Sequence, residues 1–434
     1  MAWRLAVSAA RESLPLPAST IFLPGLGIAL GSGAMALGGW PTGSPAFMAI
    51  LVGQLCAYLA ACVLVIRRPH QSLGTIVLGG AIGVAAHAPL VAMPELPARD
   101  AIRYIWDARV QRSGLNPYEV RPDDLAVAHL HTDLTRRVDA AWLPTIYPPV
   151  AQLYFRLVTA ASESIAAFRV AATVADAVTM LGVAAILRGA RLPAGWSLLY
   201  AWHPVLVYES AAGAHLDSAG VALLTLGFLA LQRARSAVAT LLVVSAALFK
   251  PIPLVLLPLL WDRLRPAHAL VGAAWAMGAT WMVTGGAPPL GSTGTFVDGF
   301  RFNGPLFGWL TVALPPRAVA AGAIVIGLLA AGWVRRFRRR DHVDDWASPQ
   351  AAALLFAPVI YPWYLAWVAP FAVIAGAITP WAWSLGLVAI YPTWWYATRG
   401  APFEVPGPLM ALEYAAPAVA VAGGWLAVRS RRCR

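Results

Sequence analysis

The sequence predicts an all-α polytopic membrane protein, and three observations predict it. Hydrophobic types make up 59 % of the 434 residues and charged types only 12 %, against about a quarter charged in ordinary soluble domains. Long apolar stretches recur from one end of the chain to the other. The basic residues fall in short arginine clusters between those stretches, which is the positive-inside pattern of membrane topology. Together these features exclude a soluble enzyme, a disordered tail and a disulfide scaffold. The net charge of +12 then reports orientation in a bilayer, and no nucleic-acid partner is expected.

Taken in order, Arg4 and Arg11 precede a first apolar segment that lacks a convincing cleavage site, so it is expected to remain as a span. Arginine clusters at 67–68, 188–191, 233–235, 263–265, 335–340 and 429–434 mark the expected cytoplasmic side. Spans near 19–39, 46–66, 73–93, 165–187, 195–214, 216–232, 267–284, 316–334, 347–361, 363–377, 379–396 and 407–428 alternate consistently between these clusters. Residues 236–260 form a hairpin or broken pair around Lys250-Pro251-Ile252-Pro253, because proline breaks or kinks a helix. The total is about 12 to 14 spans at roughly 20 residues each. They form one transmembrane domain over 1–434, with both termini cytoplasmic and segments 94–145 and 285–315 outside the cell membrane. Cys56, Cys62 and Cys433 make no disulfide framework.

The unusual chemistry sits in 94–145. Eight of the 20 acidic residues are there (Glu95, Asp100, Asp107, Glu119, Asp123, Asp124, Asp133 and Asp139). Within it, residues 100–112 read DAIRYIWDARVQR, charges interleaved with Ile102, Ile105, Trp106 and Val110. That pattern suits an amphipathic helix lying at the membrane surface. Asp100, Arg103, Tyr104 and Asp107 share one face by their spacing of three, four and seven. Elsewhere, Glu209, His215 and Asp217 gather at the end of one span and the start of the next, and ionisable residues there are functional suspects. Lys250 is the only lysine, and a chain break beside it would present a point charge suited to phosphate. No tight His or carboxylate spacing suggests a metal site, and no nucleotide-binding glycine motif is visible. No cofactor is predicted, although scattered carboxylates leave room for a divalent cation.

The order D-x-x-R-Y-x-W-D-x-R-V-Q-x-x-G-x-N-P-Y from Asp100 to Tyr118, then Pro122-Asp123-Asp124, then Ile146-Tyr147-Pro148-Pro149 with Ala151 and Gln152, resembles the bacterial integral-membrane glycosyltransferases of the GT-C superfamily. The best-known members are the polyprenyl-phosphate-mannose-dependent mannosyltransferases, which the chain resembles. Residues 202–217, Lys250-Pro251, Phe302-Asn303 and Pro362-Trp363-Tyr364 extend the likeness over roughly 100–365. The chain departs from the pattern where Arg99 precedes Asp100, where Ala108 follows Asp107, and where Gly213-Ala214-His215-Leu216-Asp217 replaces an unbroken G-H-L-D.

The resemblance implies transfer of a sugar, mannose foremost, from a polyprenyl-phosphate donor to a lipid-linked or glycan acceptor. It also implies an extracytoplasmic site, inversion at the anomeric carbon, and an acid of the first external loop as general base. Asp100 matches that acid, with helix capping as its alternative role; Asp107 is the second choice, with pairing to Arg103 or Arg109 as its alternative. Arg103, Tyr104, Arg109, Asn116, Tyr118, Tyr147, Glu209, His215, Asp217, Lys250, Arg301, Asn303, Trp363 and Tyr364 are candidates for binding donor or acceptor. A lipid-carrier transporter or flippase, or a non-catalytic subunit of a cell-envelope polysaccharide system, is the alternative. Transporters of that kind often carry internal repeats, and none appears here.

Overall fold

The computed structural model describes residues 17–94, 98–337 and 344–432, the last of these without side chains beyond 425. Arg4, Arg11, Glu95, Arg338, Arg339, Arg340, Cys433 and the side chains of the basic tail lie outside the described residues. The protein is an all-helical polytopic membrane protein; among the described residues the only β pairing is a bridge between Phe302 and Val359.

The N-terminal half is built from long helices. α1 (Phe22–Gly38), α2 (Pro45–Arg67) and α3 (Leu73–Val91) follow one another through short turns. Ser44 and Ser72 cap α2 and α3 by accepting Phe47 N and Thr75 N, which satisfies amides that a helix start leaves unpaired. The polar side chain of Gln54 is buried in lipid-depth packing, where it donates to Ile28 O at 2.8 Å and to Ser32 Oγ at 3.2 Å. α4 (Arg99–Arg112) leads into turns and short 3-10 segments, and α5 (Pro149–Ala161) packs along it. α6 (Ile165–Gly189) follows, capped by Ser164.

Among the described residues five continuous helices are long and apolar enough to cross a membrane: Ser19–Gly38, Pro45–Arg67, Leu73–Val91, Ile165–Gly189 and Pro316–Arg336. The expected spans 216–232, 267–284 and 407–428 are also single helices, Asp217–Gln232, Pro266–Thr284 and Gly407–Arg432. The remaining expected spans are broken. Segment 195–214 divides into α7 (Ser197–Ala201) and α8 (Pro204–Ala211), with Pro204 at the first position of the second piece. α9 (Asp217–Gln232) and α10 (Ser236–Ala247) form a tight antiparallel pair. After α10 the chain breaks at Phe249-Lys250-Pro251, as the prolines predict, and continues as short turns over 252–260. The expected spans 347–361, 363–377 and 379–396 become helices of four to nine residues. Pro362, Pro370 and Pro392 stand in the first turn of three of these pieces, where a missing amide and a ring clash stop the preceding helix from running on, and Gly376 at φ +68 ends the piece that holds Pro370.

α4 packs along α5, and Ile102, Tyr104, Ile105, Trp106, Asp107 and Val110 are all buried in protein, so Tyr104 and Asp107 of its expected polar face are covered as well as the apolar residues. Helix α5 was not foreseen as an element, because 146–164 lies between the expected loop and the next span. It supplies the surface that covers α4.

The site end of the bundle is tied together by Arg169 near the start of α6. Its guanidinium is buried and donates to Ala212 O at 3.0 Å, Val91 O at 3.2 Å, Pro94 O at 2.8 Å and also to Met93 O. One side chain thereby joins the ends of α3, α6 and α8. Hydrogen bonds from a charged group contribute about 1.5–3 kcal/mol each when lost with a buried partner. Arg169→Met is therefore expected to lower the unfolding midpoint of the detergent-solubilised protein by several degrees, measured by tryptophan fluorescence on heating.

Candidate active site

Asp100 opens α4, where that helix meets the ends of α8 and α9. It is not the N-cap: Ala98 holds that position and no side chain caps the helix. The carboxylate is turned instead towards His215, whose Nδ1 lies 3.4 Å from Asp100 Oδ2. His215 Nε2 lies 3.1 Å from Glu209 Oε2. Glu209 accepts a short hydrogen bond from Tyr391 Oη. Two residues beyond His215, Asp217 Oδ1 accepts from Lys250 Nζ at 2.7 Å and from Trp367 Nε1 at 2.6 Å. The Lys250 ammonium also sits 3.6 Å over the Tyr364 ring. Three acids and two cations, drawn from five segments, thus form one cluster.

Local sequence makes this possible. The run Glu209–Asp217 turns sharply between α8 and α9, with Ala214 at φ +56 and both flanking helices ending on it. A side chain at Gly213 would meet Glu209 O at 2.6 Å, so only glycine lets the turn close over its own helix. The turn points His215 into the interior, 4 % exposed, while Asp100 keeps 40 % of its side chain exposed.

Burial would push the His215 pKa down, but hydrogen bonding and charge from Asp100 and Glu209 outweigh it and hold the group up at about 9. Partial burial raises the Asp100 pKa, but His215, Lys250 and Arg103 outweigh that and hold the carboxyl below its usual range. At neutral pH the arrangement is an imidazolium beside the Asp100 carboxylate, which reaches solvent. An ionised, accessible carboxylate is suited to accept a proton from a hydroxyl.

Asp107, the second choice, plays a different part. It is 1 % exposed and accepts from Thr145 Oγ1 at 2.5 Å and Gln152 Nε2 at 2.9 Å. Burial raises its pKa, more than Arg103, Thr145 and Gln152 lower it. It locks α4 to α5 and to the turn at 145. Arg103 does not pair with it but donates to Leu143 O, Asp139 O and Ala140 O at 2.9–3.0 Å. Arg109 is taken up by Glu163 and Leu130 O. Asn116 shapes a turn by accepting from Tyr118 N and donating to Glu119, and Tyr118 donates to Tyr147 O at 2.7 Å. Tyr104 and Tyr147 meet edge to face at 5.2 Å, both close enough to feel the Asp100 charge. Arg301 is exposed and bonds the carbonyls of Val297, Asp298 and Phe300. Asn303 is buried and donates to Glu413 Oε2 at 2.8 Å. Neither bond set joins those two residues to the cluster. Among the described residues no group of three His, Cys, Asp or Glu is arranged to hold a metal ion.

Sequence reasoning missed Tyr361, Trp367 and Tyr391. Trp363 lies flat on His215 at 3.7 Å between ring centres, and Tyr361 lies flat on Trp363 at 4.3 Å. A signal was present: the chain contains three Tyr-Pro pairs, at Tyr147, Tyr361 and Tyr391, and all three tyrosines reach this cluster.

Residues 30–263 match the MptA_B family, described as the N-terminal domain of alpha-(1->6)-mannopyranosyltransferase. The chain belongs to this family. The match includes α4 and the whole Glu209, His215, Asp217 and Lys250 group, while Trp363 and Tyr364 lie beyond it. No curated protein and no solved structure matches the chain. Family membership makes the cluster the candidate active site of a mannosyltransferase, a membrane enzyme that joins a sugar donor to an acceptor.

His215 yields a linkage prediction. Its folded-state pKa lies above the ordinary value of 6.5, so its contribution to stability is complete below pH 6.5 and is lost as pH rises through about 9. Thermal stability of the detergent-solubilised protein is expected to fall over that window, and His215→Gln is expected to flatten the fall. An identical pH dependence in both proteins would remove the imidazolium assignment.

Proposed function

We propose that the protein transfers mannose from a polyprenyl-phosphate carrier to a hydroxyl of a lipid-linked or glycan acceptor, on the extracytoplasmic side of the cell membrane. The observation that carries this is the part-exposed Asp100 carboxylate, ionised beside His215, in a chain of a mannosyltransferase family. The arginines at 67–68, 188–191 and 233–235 lie at the opposite ends of α3, α6 and α9 from this group, which supports an extracytoplasmic site by the positive-inside rule.

In the proposed step the acceptor oxygen attacks the anomeric carbon of mannose. Its proton passes to Asp100. The bond between that carbon and the phosphate oxygen breaks, and the electron pair leaves with the polyprenyl phosphate. Base and leaving group stand on opposite faces of the sugar, so the anomeric centre inverts, as in inverting hydrolases. The developing negative charge on the phosphate needs fixed positive partners. Lys250, Arg103 and His215 are the cations whose fields reach Asp100, and they supply that environment. Lys250 is already neutralised by Asp217. Tyr104, Tyr147 and Tyr364 lie close enough to Asp100 to feel its charge, and Tyr118 holds Tyr147 by donating to its carbonyl.

The test is a transfer assay with the purified protein in lipid nanodiscs, polyprenyl-phosphate-mannose and a mannoside acceptor. Product formation is expected. Asp100→Asn is expected to reduce kcat by about 10²–10⁴-fold with unchanged folding. Wild-type turnover in that variant would reject Asp100 as the base, and donor translocation without transfer would reject the enzyme in favour of a transporter.

A further inference from the structure

Trp363 is flanked on both faces. His215 lies parallel to it at 3.7 Å and 11°, and Tyr361 at 4.3 Å and 10°. At such separations each neighbour overlaps the indole with little sideways offset. Two coplanar rings on one side would then occupy the same space, so His215 and Tyr361 take opposite faces. A sugar stacks on an aromatic through its face, and neither face of Trp363 is open. The column goes on from Tyr361 to Phe302 at 4.6 Å and from Phe302 to Phe403 at 4.8 Å. Phe302 is itself fixed by backbone bonds to Pro358 O and from Ile360 N. The indole is therefore backed by a braced column and presses on one ring face of His215.

His215 needs that support. Its two nitrogens face Asp100 and Glu209, which fix the ring axis but not the tilt about it. A flat contact on the ring face fixes the tilt. An imidazolium against an aromatic face is also favoured electrostatically.

We propose that Trp363 is a positioning residue of the transfer reaction: it acts through His215 to orient the Asp100 carboxylate and contacts no part of either substrate. The proposal rests on Asp100 as the base. The titratable groups facing Asp100 are Arg103 and Tyr104 on its own helix, Tyr147 on the turn into α5, His215 between α8 and α9, Lys250 after α10, and Tyr361 and Tyr364 beside Trp363. His215 in turn faces Glu209 of α8. Of these groups, His215 is the one that pairs with Asp100 at 3.4 Å and is held by Trp363.

The test compares Trp363→Leu, Trp363→Phe and Asp100→Asn in the nanodisc transfer assay, with kcat, KM for each substrate and the pH profile measured. Trp363→Leu is expected to lower kcat about 10- to 100-fold, the scale of a misplaced catalytic group. KM for donor and acceptor should stay within about twofold, since the indole makes no uniform binding contact. The acid limb of kcat/KM should move to higher pH, because a loosened His215 no longer holds the Asp100 carboxyl down. Trp363→Phe keeps a flat ring and should recover most of the turnover and the original limb. If Trp363→Leu does not fold, Tyr361→Leu, one ring further along the column, should give the same pattern at smaller amplitude. A rise in KM for either sugar with kcat and pH profile unchanged would make Trp363 a sugar-binding residue and overturn the proposal. Wild-type kinetics in Trp363→Leu alongside an inactive Asp100→Asn would overturn the proposal alone. An active Asp100→Asn would remove the base assignment on which it stands.

Discussion

A buried imidazole shared by two carboxylates is the interaction on which this end of the molecule depends. Asp100, Glu209 and Asp217 converge on an apolar bundle, where an unpaired charge is costly and a paired one is tolerated only with good geometry. His215 satisfies two of the acids and Lys250 the third. The same bonds join α4, the α8–α9 turn and the break after α10. The geometry of the candidate site and helix-end packing are therefore one problem solved by one set of contacts. The arrangement also explains why so few cations serve so many acids here: the partly exposed Asp100 tolerates a shared partner because water supplies the rest.

Much of this was legible in the sequence because charge is rare in it. The 12 % of charged residues must be either topological or functional, and those away from the arginine clusters stood out: Asp100, Glu209, His215, Asp217 and Lys250. The order of the long helices was equally plain, since uninterrupted apolar runs bounded by Ser caps leave little choice. What sequence could not supply was pairing. Asp100 and His215 are brought together by the packing of α4 against the α8–α9 turn, a contact between segments more than a hundred positions apart. Arg103 and Asp107 sit one turn apart on α4, yet the arginine turns to the 139–143 carbonyls and the aspartate to Thr145 and Gln152. Helical spacing shows which groups share a face; it does not show which neighbouring segment competes for them.

The C-terminal half illustrates a second limit. Hydropathy sees apolar runs over 347–396, but prolines cut them into short pieces whose ends need carbonyl and amide partners within the protein. Such broken helices are tolerated at membrane depth where they are buried in protein or line a cavity. Here they deliver Tyr361, Trp363, Trp367 and Tyr391 to the cluster from positions that a continuous helix would have spread around its circumference. Tyr361, ahead of Pro362, is extended at φ −84 and ψ 157, as the residue before a proline prefers, whereas Tyr391, ahead of Pro392, keeps helical angles of −56 and −33.

Thr145 joins three distant pieces of chain. Its hydroxyl reaches Asp107 on α4, its carbonyl accepts from Ser292 N at 3.2 Å, and Ser292 Oγ bonds the neighbouring Pro144 O. Gly291 must be glycine, since a Cβ there would lie 1.9 Å from Thr145 O. The seam stitches the long loop after α3 to the one that precedes Pro316–Arg336. Amide hydrogens on both sides of it should then exchange with solvent through a single concerted opening, because neither loop has an independent way to lift.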